Sequence, residues 1–146
     1  MRYELAVEIE RPPAEVYAYL ADPTHLPDWQ ADVEEVRDAP GGPLSAGATF
    51  TEVRSFLGKR AVSTLEVTAA EPGRELALRT VSGPVEVTIR HLLEPSGDGT
   101  RVRLVHSGVP DETRAGSAEG WDHYLSRLVI AAEGGVPGPD PWAAAR

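Results

Sequence analysis

Two histidines sit in neighbouring apolar runs, and their spacing is the first sign of chemistry in this chain. If Val85 to Leu93 is a strand, Val85, Val87, Ile89, His91 and Leu93 share one face, because side chains alternate along extended backbone. If Thr100 to Val109 is the next strand, Val102, Leu104 and His106 share a face as well. The intervening Ser96–Gly99 (SGDG) reads as a tight hairpin, which pairs Ile89 with His106 and His91 with Leu104. The two imidazoles are then diagonal neighbours, within reach of one bridging group. Such a pair could shuttle a proton, donate to an oxyanion or anchor a ligand. Each could equally be an interior residue satisfied by one hydrogen bond. No third and fourth ligands stand at a metal-binding spacing, so neither a metal nor another cofactor is expected.

Aromatic residues extend the candidate site. Trp29, Trp121 and Tyr124 are candidates for a pocket wall, and the Tyr124 hydroxyl joins His91 and His106 as a group able to move a proton. On the stretch Ala48 to Leu57, Phe50 and Phe56 share a face with Glu52 and Arg54, while Thr49, Thr51, Val53, Ser55 and Leu57 form the other. Either face could point inward. If the aromatic face does, an opposite-charge pair enters the pocket as an acid/base or anchoring candidate; otherwise the pair is a solvated bridge of little worth.

Other chemistries lack their residues. There is no cysteine, and Lys59 is the single lysine. Ser107-Gly108 lacks the strand-turn-helix context of a nucleophile elbow. Gly41-Gly42 and Gly97-Asp98-Gly99 have no helix behind them to complete a phosphate loop. Asp22, Asp28 and Asp32 are not at calcium-loop spacing.

The elements that must position these residues follow from periodicity. Arg2 to Glu10 alternates Tyr3, Leu5, Val7 and Ile9 with polar residues and predicts a strand. Pro12-Pro13 ends it and opens a helix to Ala21, with Val16, Tyr17 and Leu20 on one side. Asp22-Pro23 breaks that helix, and a second short one runs from Thr24, as cap, to Asp28 before Trp29. Strands follow at Ala31–Arg37, Ala48–Leu57, Arg60–Ala70, Glu75–Ser82, Val85–Leu93 and Thr100–Val109, separated by glycine and proline turns. From Glu112 to Glu133, capped by Asp111, the residues Ala118, Trp121, Tyr124, Leu125, Leu128 and Ala132 form one apolar stripe. The fold class is therefore α+β. A curved antiparallel sheet of about six or seven strands wraps around a long C-terminal helix, with two short helices after the first strand. Residues 1–134 form one domain, and 135–146 (GVPGPDPWAAAR) form a flexible tail in which Trp142 could dock.

Composition bounds the partners. The 146 residues carry 23 acidic and 14 basic side chains, a formal charge of −9 with no basic cluster, so no nucleic acid is expected. The charged, alternating N-terminus is not a secretory signal, and no apolar run is long enough to span a bilayer. A cytoplasmic protein without membrane insertion is expected, monomeric or homodimeric.

Two stretches carry a family likeness. IERPPAEVYAYLADPTHLPDW, with its proline-started helix and a short helix ending in tryptophan, resembles the opening of the SRPBCC (START/polyketide cyclase-like) superfamily. GDGTRVRLVHSGVPD, EGWDHYLSRL and PGPDPW resemble the branch related to activators of the heat-shock protein 90 ATPase. The resemblance covers nearly the whole chain and implies the helix-grip fold with an interior pocket. The co-chaperone role is not expected, because true activators carry a separate N-terminal domain. The resemblance implies a small hydrophobic or aromatic ligand, lipid- or polyketide-like, held between sheet and C-terminal helix. Trp29, Phe50, Phe56, Ile89, His91 and Leu104 are the expected contacts from one side, with His106, Trp121, Tyr124, Leu125 and Leu128 from the other. The alternatives are a cyclase- or aromatase-like enzyme, a metabolite-sequestering resistance protein, and a stress-related interaction domain.

Overall fold

Alternation in the first and last strands produces two elements that lie side by side. The computed structural model describes residues 2–56 and 58–140, the side chains of Phe56 and Arg114 excepted. Strand β1 (Arg2–Ile9) pairs antiparallel with β7 (Gly99–Ser107), setting Tyr3 opposite His106 and Leu5 opposite Leu104. Between them the chain meanders through β2 (Val33–Arg37), β3 (Thr49–Phe56), β4 (Lys59–Glu71), β5 (Glu75–Ser82) and β6 (Thr88–Ser96). The 7-stranded sheet has the order β1-β7-β6-β5-β4-β3-β2. Register shifts in β4, at Thr64/Leu65 and Val67/Ala69, insert bulges against β5. Bulges bend a strand and raise its twist, which lets so wide a sheet curl.

One face of that sheet is apolar and has to be covered. Helix α3 (Arg114–Ala132) does so with Trp121, 7 % exposed, and with Leu125 and Leu128, both at 0 %. Fully burying each such side chain stabilises by about 1.5–3 kcal/mol. The Tyr3 hydroxyl and Ser117 Oγ, 2.6 Å apart, tie the helix to the edge strand. Two short helices close one end. Pro12 and Pro13 start α1 (Pro13–Leu20), where proline's missing N–H costs nothing, and Val16, Tyr17 and Leu20 are buried. A 3₁₀ turn (Pro23–His25) leads into α2 (Leu26–Trp29), which buries Trp29.

Some boundaries differ from the sequence reading, each for a local reason. Asp22, not Thr24, caps the short helical segment: its carboxylate accepts from the Thr24 N–H at 3.0 Å and the Thr24 hydroxyl at 2.6 Å. Asp111–Thr113 form a 3₁₀ turn, so α3 starts at Arg114 with no side-chain cap. Strand β6 begins at Thr88, because Gly83–Val87 form a loop in which the Val87 N–H donates to the Thr80 hydroxyl. Past α3, Asp140 pairs with His123 at 2.9 Å and Arg127 at 3.1 Å, and Arg127 also donates to the Gly138 carbonyl. The chain beyond α3 is thus tied back to the helix as far as Asp140; Trp142 lies outside the described residues. No helix among the described residues is long and apolar enough to cross a membrane.

Candidate functional site

The face of β3 that carries Phe50 is the inner one: Phe50 belongs to the main core, and with Glu52 and Arg54 it lines the space beside Trp121. Strand alternation then forces Arg54 inward as well. Its guanidinium joins its own strand to the α2–β2 connection. Nε donates to Glu52 at 2.8 Å, Nη1 to Asp32 at 3.0 Å in the α2–β2 connection, and Nη2 to the Gln30 side-chain oxygen at 2.5 Å. The Tyr124 hydroxyl of α3 donates to the same Asp32 oxygen. Planar guanidinium geometry suits this many-sided pairing as an ammonium would not. Burial alone would lower the Arg54 pKa, but the Glu52 and Asp32 charges outweigh it and raise it. Burial, together with Asp32, raises the Tyr124 pKa against the opposing pull of Arg54, so the phenol stays protonated. Two carboxylates face one guanidinium, leaving the cluster one negative charge in excess.

Between sheet and α3 lie two cavities that share a wall of Glu52, Arg54, Leu65, Ile89 and Trp121. The inner one, bounded also by Trp29, Phe50, Leu76 and His91, has a volume of about 20 Å³. That is room for about one water. The outer one has about 180 Å³ and adds Ser63, Thr80, Val85, Val87 and His106. Its rim is the Gly83–Val87 loop, held by close approaches. A Cβ on Gly108 would sit 2.4 Å from the Glu86 carbonyl oxygen, and one on Gly83 would sit 2.6 Å from Ser63 Oγ. Larger clefts, of about 430 Å³ beside Pro40–Pro43 and about 230 Å³ among Glu71, Arg74 and Glu94, have no α3 residue in their walls.

The histidines occupy different cavities. The hairpin has the expected register, with Ile89 opposite His106 and His91 opposite Leu104. His91 Nδ1 lies 2.9 Å from the Leu76 carbonyl oxygen, which makes it the donor. Burial depresses the His91 pKa, although that hydrogen bond opposes the shift. His106 is packed between rings: it stacks on Tyr3 at 5.0 Å and meets Trp121 at 5.7 Å. Its Nδ1 is buried and has no hydrogen-bond partner among the described residues. Burial, assisted by the Arg54 charge, depresses its pKa to about 4. Both imidazoles are therefore neutral near pH 7.

Of the residues singled out in the sequence, Trp29, Phe50, Ile89, His91, His106 and Trp121 line one or both cavities. Trp121 joins the aromatics, with Trp29 at 6.0 Å and Tyr124 at 5.2 Å. Leu104, Leu125 and Leu128 are wholly buried and line neither cavity. Tyr124 bonds Asp32 and also lines neither. The Phe56 side chain lies outside the described residues. Alternation alone leaves either face of β3 free to point inward, and no local pattern brings Gln30 or Asp32 to Arg54. The signal for burial was Phe50, which shares the face of Glu52 and Arg54.

Comparison with known proteins places the chain. No curated protein sequence matches it significantly. Protein CV1439 from Chromobacterium violaceum has the same fold, at TM-score 0.75 and 20 % identity, over 96 % of this chain and 99 % of that one. The Aha1 dimer from Colwellia psychrerythraea matches at 0.72 and 20 %, over 91 % of this chain and 96 % of that one. DynU16, a protein of the dynemicin biosynthetic locus, matches at 0.70 and 20 %, over 93 % of this chain but 49 % of that one. The sequence model for "Activator of Hsp90 ATPase homolog 1-like protein" matches residues 10–133, nearly the whole span from the end of β1 through α3. The chain belongs to that family, the Aha1-like branch of the SRPBCC superfamily that its terminal motifs resemble.

Proposed function

We propose that the protein binds a small, largely apolar or aromatic molecule in the outer cavity between sheet and α3. The observation that carries this reading is the unfilled space of about 180 Å³ beside Trp121, walled by Leu65, Val85, Val87 and Ile89. Cavities of about this size, when apolar, take up a single aromatic ring. A ligand with one or two rings fits the space better than a long acyl chain. Catalysis has less support, because the Tyr124 hydroxyl is engaged by Asp32 and His91 Nδ1 by a backbone carbonyl.

Thermal unfolding with a panel of toluene, phenol, indole and naphthalene, alongside Trp fluorescence, tests the reading. A ligand at 100 times its dissociation constant should add about 2.7 kcal/mol to stability. A panel that moves neither the unfolding temperature nor the fluorescence, at millimolar concentration, would reject it.

A further inference from the structure

The outer cavity wall carries polar side-chain atoms on Glu52, Arg54, Ser63, Thr80, His106 and Trp121. Both Glu52 oxygens accept from Arg54, at 2.8 and 3.3 Å, and Arg54 also donates to Asp32 and Gln30. Thr80 Oγ1 accepts from the Val87 N–H at 3.3 Å, which leaves its own proton to donate. The Trp121 indole can only donate, and the Ser63 hydroxyl can turn to do so.

His106 completes the set. Its Nδ1 is sealed from water and has no partner among the described residues. A proton there would be an orphaned buried N–H, which folded chains rarely tolerate; an under-used lone pair is the lesser cost. A neutral imidazole carries one proton and one lone pair, so the proton sits on Nε2. Nε2 also lacks a bond to the described residues, yet it is not among their sealed, unpaired atoms. It therefore borders open space, and the space that His106 lines is the outer cavity. Stacking on Tyr3 and contact with Trp121 hold the ring in that pose. The groups this wall has to spare are thus N–H and O–H donors.

Resting on the binding reading above, we propose that the outer cavity selects a neutral single-ring aromatic ketone or aldehyde, and that His106 Nε2–H donates to its carbonyl oxygen. The ring packs against Trp121 and Ile89. Carboxylates, although acceptors, are disfavoured by the excess negative charge of Glu52 and Asp32 over Arg54.

Isothermal titration of the full chain with acetophenone and α-methylstyrene tests this, because the two differ in replacing C=O by C=CH₂. The readout is the ratio of their dissociation constants, compared between variants so that the probes' different costs of leaving water cancel. In His106→Phe the ratio should move about fivefold to tenfold against acetophenone, the worth of one hydrogen bond. His106→Gln, which keeps an N–H donor, should stay near the wild-type ratio. The infrared carbonyl band of acetophenone bound to the wild type should lie below its position in hexane, and this decides the matter even if the phenylalanine variant fails to fold. A hexane-like band, or an unchanged ratio in His106→Phe, would overturn the carbonyl rule while α-methylstyrene binding leaves the binding reading intact. Binding of neither probe would overturn both.

Discussion

His91 and His106 are diagonal neighbours on adjacent strands of one concave surface, yet their surroundings differ. Around His91 the interior is filled to about 20 Å³, and Nδ1 has the Leu76 carbonyl. Around His106 about 180 Å³ stays empty, and Nδ1 has no partner among the described residues. The first is a polar residue absorbed into a core, where one hydrogen bond suffices. The second leaves its hydrogen-bonding capacity unused, which a structure selected for stability alone would not retain. The same residue type, on the same surface, thus marks close packing in one place and lines open space in the other.

Removing the shared wall breaks this contrast most directly. Trp121→Ala should merge the two cavities and cost about 3–5 kcal/mol in urea unfolding, with fused-ring ligands gaining affinity over single-ring ones. Arg54→Met should cost about 3 kcal/mol, because it leaves the buried Glu52 and the half-buried Asp32 without a counter-charge. The figure is kept at the low end since 23 % of the Arg54 side chain is exposed. A cost under 1 kcal/mol would mean that those carboxylates are effectively solvated.

The histidines themselves sharpen the comparison. At pH 7, His91→Leu should destabilise by about 1–3 kcal/mol, because the Leu76 carbonyl loses its imidazole donor. His106→Leu should be close to neutral, within about 0.5 kcal/mol, since it removes a polar atom that had no partner. Equal costs at the two sites would erase the distinction. A further effect is one of pH. Both histidines have folded-state pKa values below the ordinary 6.5, so the unfolded chain takes up protons first as pH falls. Neither contributes above pH 6.5. Between there and about pH 4, where folded His106 itself protonates, His106 should cost up to about 1.4 kcal/mol of stability per pH unit, with His91 acting in the same direction. The decline should be shallower in His106→Leu, measured by urea unfolding at pH 7, 6 and 5.

Local pattern carried most of the architecture. Alternation in RYELAVEIE, the double proline before α1, the two-residue turn in SGDG and the stripe through Trp121, Leu125 and Leu128 are consequences of strand and helix periods. They set the elements and the β6–β7 register, because a one-residue slip there would turn Ile89 and Leu104 to water. The edges of elements were less legible. Asp22 and Thr24 are both good caps, and which one serves depends on backbone angles that Pro23 imposes.

The chain's own order of residues determined which side chains share a face: His91 with Ile89, His106 with Leu104, Arg54 with Glu52 and Phe50. Only the tertiary structure decided which face of β3 is buried, that Asp32 and Tyr124 meet Arg54, and that the space beside His106 stays open while that beside His91 closes. The reason is physical. Facing is set by the two-residue period of one strand, whereas burial, counter-charge and empty volume depend on how a curled sheet, a long helix and a five-residue loop approach one another across residues far apart in sequence.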